Sequence, residues 1–334
     1  MSKKVKQPSE ELRKAIKKSR PELSLSSIDS YIISLRMLHN KCFNDHKNKQ
    51  LETKFLHDFT KIQKCLDEIE NKNTKKNRLT AILVGLDSEE KKDTKLIERY
   101  QAILKTLMVS VNKELNSQAK TDTQKDNWLD FDQIKSILNK MLSDITTQNL
   151  FSKDKLSKTE YSLVQKYVLL RLYVAHPMRN NVADCEVVTQ KDYDNLDEEE
   201  QDKNNYLIRT GNKYKFMLNS FKNVKKIGKK EIQISDPISK LLTKWFKINT
   251  SGYFFTLNNG TEAINANNIT KIFNSIFKEY GDGKKISTSM LRHIQITDDL
   301  KNEPTIEEKN KKATSTATKY QHSTTVNDQY RKID

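Results

Sequence analysis

Apolar residues recur at three- and four-residue intervals through most of this chain, the spacing of helices that bury one face. Ile28, Tyr31, Ile32, Leu35 and Leu38 follow the candidate caps Ser26 and Ser27. A second run uses Phe55, Leu56, Phe59, Ile62, Leu66 and Ile69, and a third is the short stretch 75–86. A fourth uses Leu96, Tyr100, Ile103, Leu104, Leu107 and Val111. These runs predict a compact bundle of four or five helices over residues 21–116, preceded by a polar, basic arm or frayed helix over 1–20. The stretch "NSQAKTDTQKDN", ending at Asn127, has nothing more apolar than alanine and predicts a linker over 117–127.

A second domain is expected over 128–334. Trp128, Phe131, Ile134, Ile137, Leu138, Met141 and Leu142 predict a helix. Residues 161–177 are apolar nearly all round, as in a helix buried inside a larger core, and His176–Pro177 ends it. The segment "KDYDNLDEEEQDKNN" reads as an acidic surface loop. Beyond it, residues 206–235 alternate short strand-like runs with glycine turns, which predicts a small antiparallel sheet of two or three strands. Helical patterns return at 236–247, 265–280, 287–300 and 304–319. The fold class is therefore mainly α (α+β), a helical bundle followed by a mostly helical domain with a small antiparallel sheet.

The net charge of +16 favours a polyanionic partner, nucleic acid above all. Of the 60 cationic residues ten are Arg. Arg grips phosphate with a planar fork where Lys offers a point charge, so an Arg inside structured sequence stands out, as Arg179 and Arg292 do. Three widely spaced cysteines, Cys42, Cys65 and Cys185, suggest neither a disulfide framework nor a zinc site, and hence a reducing compartment. No apolar stretch approaches eighteen residues and the start is charged, so a soluble, intracellular protein with no membrane partner is expected.

Four places can carry chemistry. "AHPMRNNVADC" puts Arg179 where the chain turns after a buried helix, and "NSFKNVKKIG" puts Lys222 at the end of a strand. "STSMLRHIQIT" puts Ser289, Arg292 and His293 on one helix, and "YQHSTTVNDQYRKID" supplies His322 and Tyr330. Singly, each is ordinary: a helix-end Arg, one of many lysines, a half-apolar histidine, a tyrosine in polar sequence. The carboxylates of "DFD" at 130–132 and "DEEE" at 197–200 fit a helix start and a solvated loop better than a metal nuclease.

As an ordered set, Arg, Lys, Arg-His, His and Tyr resemble the tyrosine recombinase (phage-integrase) family over roughly 128–334. The Lys/Asn-rich flavour and "SMLRHIQIT" are closest to the recombinases of virophages and large DNA viruses. The preceding bundle looks like that family's core DNA-binding domain. The resemblance implies a site-specific recombinase or integrase, acting on double-stranded DNA as a homo-oligomer, dimeric on a site and tetrameric in the synapse. Tyr330 would be the nucleophile, forming a 3′-phosphotyrosyl intermediate, while Arg179 and Arg292 clamp the phosphate. Lys222 would protonate the leaving 5′-oxygen, His322 would hydrogen-bond the phosphate, and His293 would support the site. No cofactor or metal is implied, consistent with the absence of a GxxxxGK[ST] motif and of a clear ligand cluster in the sequence. A viral source would place the protein in a host nucleus or cytoplasm.

Three departures qualify the match. Ser289 stands three before Arg292, where the family usually has His; a hydroxyl can hydrogen-bond a phosphate oxygen but is no base near neutral pH. Val182 stands three after Arg179 where many members have an acid, leaving Asp184 as the candidate buttress. The gap from His322 to Tyr330 is one residue shorter than usual. With four residues after Tyr330, a C-terminal helix that docks on a neighbour is not expected. Two alternatives share the resemblance: a type IB topoisomerase relaxing DNA, and a degenerate member that only binds it.

Overall fold

The computed structural model describes residues 9–45, 51–221, 224–257, 260–301, 319 and 330–332. The chain divides into two compact units, Met1–Ser117 and Gln118–Asp334.

In the first unit, α1 (Glu10–Ser19), α2 (Leu25–Phe43), α3 (Phe59–Asp67), α4 (Lys72–Asp87) and α5 (Thr94–Asn116) share one core of Ile28, Leu35, Leu56, Ile62, Leu79, Ile82 and Tyr100. Side-chain caps start most of them: Ser24 accepts from the Ser27 amide, Asp58 from Lys61, Asn71 from Thr74 and Asp93 from Leu96. The expected caps Ser26 and Ser27 thus lie inside the first turn of α2. Of the stretch expected to be an arm or frayed helix, residues 10–19 form the helix α1. Leu12 and Ile16 of α1 are buried in the core, each burial stabilising by about 1.5–3 kcal/mol, and a ten-residue helix would be marginal without it. Cys42 on α2 and Cys65 on α3 are paired as a disulfide with Cα atoms 5.7 Å apart, against the expectation of unpaired thiols. The pairing depends on how two helices cross, which the spacing of cysteines does not report. Cys185 is free and buried.

The second unit begins with α6 (Asp122–Asn127), a short helix closed by a Thr121–Gln124 capping box inside the stretch expected to be a linker. Then come α7 (Phe131–Thr147) and α8 (Lys158–Ala175), which pack on each other. A sheet follows, built from β1 (Glu186–Thr189), β2 (Asn205–Thr210), β3 (Lys213–Leu218) and β4 (Lys230–Gln233) in the order β1-β2-β3-β4. β2–β3 is a hairpin turning at Gly211, whose φ of 59° suits glycine. β3 and β4 are also antiparallel, but β1 runs parallel to β2, with Val187 beside Leu207. The sheet is therefore mixed and one strand larger than expected. A parallel pair needs a crossover, and the "acidic loop" supplies it as α9 (Gln190–Asp194) and α10 (Glu198–Lys203). Asp197 caps α10, and Glu198, Glu199 and Glu200 fill its first turn, where the helix dipole favours acids.

The single-turn α11 (Val224–Ile227) leads to β4, and α12 (Asp236–Ile248), α13 (Ala266–Tyr280) and α14 (Thr288–Leu300) complete the unit. Met141, Leu172, Trp245, Phe254, Phe255, Phe273 and Phe277 are among the side chains of its core. Buried Gln165 of α8 acts as a strand edge, its Nε2 donating to Thr256 O and its Oε1 accepting from Thr256 N, both at 3.0 Å. The mainly helical α+β class expected from the pattern is the observed one. No helix among the described residues is long and apolar enough to cross a membrane.

Candidate functional site

Four pieces of the second unit meet around Arg292: the end of α8, the turn after it, α14, and Tyr330–Lys332. α8 stops at His176, before Pro177, and the chain turns through Arg179 into a 3₁₀ turn, Asn180–Val182. That turn is held from two sides. Tyr173 Oη donates to Arg179 O at 3.3 Å and to Asn180 Oδ1 at 3.4 Å. Asn180 Nδ2 donates to Ala266 O at 2.9 Å and Thr270 Oγ1 at 3.2 Å on α13. Half-buried Arg179 makes no side-chain hydrogen bond or ion pair among the described residues.

α14 starts at Ser287, whose side chain accepts from the Met290 amide, and it buries Met290, Leu291 and Ile294. Gln295 Nε2 donates to Tyr173 O and Val174 O, both at 3.2 Å. These are carbonyls of the last turn of α8, where a helix has no partners of its own, so Gln295 fixes α14 against α8. Arg292 is thereby carried inward and is only 7% exposed. Its Nε and Nη1 are buried with no hydrogen-bond partner among the described residues. Burial above all, with Arg179 adding to it, lowers its pKa from the ordinary guanidinium value, while Tyr330 opposes the shift partly through a side-chain hydrogen bond. Burial likewise raises the Tyr173 phenol far above the usual range, against the pull of Arg292.

Tyr330 lies along α14. The Arg292 Cζ is 5.7 Å from its ring centroid, and His293 stacks on it at 4.4 Å with planes 18° apart. His293 Nδ1 lies 2.7 Å from Tyr330 O, so the ring carries its proton there and donates it to that carbonyl. The tyrosine ring also packs on Ile296 and Leu300. Past it, Lys332 N donates to Thr297 Oγ1 at 2.9 Å, and the buried Lys332 side chain reaches Ala119 O at 3.5 Å.

Arg179, Arg292, His293 and Tyr330 are therefore brought together. Ser289 is exposed one turn before Arg292 and makes no side-chain hydrogen bond among the described residues. Asp184 does not buttress Arg179: it is exposed and has no hydrogen bond or ion pair there. Lys222 and His322 lie outside the described residues, as does the helix expected over 304–319 apart from Lys319. The polar residues that set the geometry, Tyr173, Asn180 and Gln295, were not singled out in the sequence. Gln295 alone carried a signal, as a polar residue set between Ile294 and Ile296.

The chemistry of such a cluster is constrained. A buried guanidinium beside a second cation is costly unless an anion or hydrogen-bond acceptor offsets it. Two buried guanidinium nitrogens without partners, Nε and Nη1, suit an oxyanion, which an Arg fork binds in two places. A phenol stands next to that position. Among the described residues, no group of three His, Cys, Asp or Glu side chains is placed to hold a metal.

No protein-family model matches the sequence, and no curated protein matches it. Among solved structures, a crystal structure of XerA recombinase is similar, with 12% identity over 97% of this chain and 94% of that chain and a TM-score of 0.37. A likeness of that size carries no argument about the site.

Proposed function

We propose that this protein breaks and rejoins DNA strands as a tyrosine recombinase. The observation that carries the reading is Arg292, buried with two unpartnered N–H groups, in contact with Tyr330 and close enough to Arg179 to feel its charge. In this account the two arginines take the non-bridging oxygens of one phosphodiester, whose negative charge builds as a nucleophile adds. Tyr330 Oη attacks phosphorus, its P–O bond forms as the bond to the 5′-oxygen breaks, and the DNA is left joined through a 3′-phosphotyrosine. The phenol gives up one proton and the departing oxygen takes one, supplied by Lys222. Attack by a 5′-hydroxyl reverses the sequence, so rejoining needs no nucleotide hydrolysis. His322 donates to the phosphate. His293, already stacked on Tyr330 and bonded to its carbonyl, holds the nucleophile's ring.

Residues 128–334 would then be the catalytic domain. Residues 21–116 would grip the duplex, with most contacts to phosphate and a strong dependence on salt. Paired strand exchange implies two protomers on a site and four in the synapse.

The test is covalent trapping. Duplex fragments of the genome that encodes the protein are incubated with it and resolved under denaturing conditions beside Tyr330→Phe. An adduct that disappears in the variant supports the reading. No adduct, with salt-sensitive binding intact, would leave a DNA-binding protein without catalysis.

A further inference from the structure

One face of α14 seats Tyr330 and the two residues after it. His293 and Thr297 stand one turn apart on that helix, and each takes one backbone group of the short segment. His293 Nδ1 donates to Tyr330 O at 2.7 Å, and Thr297 Oγ1 accepts from Lys332 N at 2.9 Å. The same face meets the ring, with His293 stacked on it and Ile296 and Leu300 packed beside it. Residues 293, 296, 297 and 300 are spaced as one helical stripe, so the seat is continuous. Beyond it the Lys332 side chain is buried, at 7% exposure.

The Thr297 hydroxyl is turned to this use. Thr80, Thr146 and Thr243, also within helices, donate to the carbonyl four residues back, a common resting place of a helical threonine. Thr297 makes no such bond among the described residues; its oxygen takes the Lys332 amide. A grip on the backbone suits a nucleophile. A phenol oxygen tied down by hydrogen bonds would have to leave them to reach phosphorus, and the group it touches, Arg292, is the one that binds the phosphate in the proposed reaction. Holding the amide and the carbonyl instead fixes where the tyrosine is rooted. The ring then rests on stacking and apolar contacts, which are weakly directional and let the phenol turn.

We propose that Thr297 is a positioning residue for the nucleophile: by accepting the Lys332 amide it works with His293 to seat the Tyr330 backbone on α14, and it acts on the reaction only through the tyrosine. This rests on the proposed strand-transfer function, while the seat itself can be read without it. Thr297 touches neither DNA nor the arginines that bind the phosphate.

The experiment uses the full chain with Thr297→Val, which keeps the shape and removes the acceptor, and Thr297→Ser, which keeps the hydroxyl. Without DNA, trypsin is followed by mass spectrometry at the Arg331–Lys332 bond, whose nitrogen Thr297 holds. Cleavage there is expected about tenfold faster in Thr297→Val, the loss of one hydrogen bond from a docked segment, and close to the natural rate in Thr297→Ser. On the fragment recovered by covalent trapping, at saturating DNA, Thr297→Val should form adduct roughly ten- to a hundredfold more slowly, with duplex binding unchanged and the rate restored in Thr297→Ser. The rise in Tm with the oxyanion orthovanadate, which reports the arginines, should be the same in all three proteins. Equal trypsin cleavage, an unchanged adduct rate in Thr297→Val, or a diminished response to orthovanadate overturns the role, the last because Thr297 would then act through α14 as a whole. Should the natural protein form no adduct with any fragment, the proposed function fails and the positioning role with it, while faster cleavage in Thr297→Val would still show that the seat exists.

Discussion

Replacing Arg292 with methionine should stabilise the second unit while abolishing strand transfer. Two buried N–H groups without partners each cost about 1–3 kcal/mol. The substitution removes both and fills the space with an unbranched chain of similar length, at a packing cost below about 1.5 kcal/mol. It also removes the contact with Tyr330, a charge-assisted hydrogen bond of about 1.5–3 kcal/mol. The balance is a gain of about 1 kcal/mol, which in a unit of this size raises Tm by about 2–4 °C. Calorimetry on both proteins measures it. The same pair also tests what Arg292 is kept for. Orthovanadate, a phosphate mimic, should raise Tm for the natural protein, by about 2.7 kcal/mol at a hundredfold excess over its Kd, and leave Arg292→Met unmoved. A variant that melts 2 °C or more below the natural protein would refute the reasoning, since it would mean that Nε and Nη1 are satisfied and the site is not poised for an anion.

Gly281 ends α13 at φ −124°, and a Cβ there would lie 2.9 Å from Phe277 O and 3.3 Å from Ile137 Cδ1. Gly281→Ala should therefore cost about 1–3 kcal/mol, read as a lower Tm, and an unchanged Tm would show that α13 can shift. Gln165→Leu strands the buried Thr256 amide and carbonyl and should cost about 1–3 kcal/mol for each, measured by urea unfolding. His176 is held below its ordinary value, first by burial and then by Lys319, and it accepts the Ser235 N–H only when neutral. Its contribution is fully present above about pH 6.5 and is lost as pH falls from there toward the lowered value. The slope of stability against pH in that window should flatten in His176→Phe, and an equal slope in both proteins would count against it.

Much of this fold could be read in the pattern because long amphipathic helices such as α2, α5, α7 and α13 report their buried face directly. The pattern was silent where structure comes from pairing between distant segments. Glu186–Thr189 is four residues long and becomes a strand only by lying parallel to β2. α1 offers just Leu12 and Ile16 among lysines, so its place in a core depends on what other helices leave open. Cys42 and Cys65 meet through the crossing of two helices. At the site, Arg179, Lys222, Arg292, His293, His322 and Tyr330 stood out as an ordered series; Arg179, Arg292, His293 and Tyr330 lie near one another, while Lys222 and His322 lie outside the described residues. The residues that hold them there, Tyr173, Asn180 and Gln295, act through side-chain hydrogen bonds that leave no period in the sequence, and only Gln295, polar between Ile294 and Ile296, left a trace.

The most direct test of the account is to identify the bond. The protein would be trapped on DNA, the adduct digested with nuclease and protease, and the peptides analysed by mass spectrometry. The account predicts a 3′-phosphonucleotide on the phenolic oxygen of Tyr330. A nucleotide carried by a different residue, or DNA cleaved with no nucleotide left on any peptide, would contradict it.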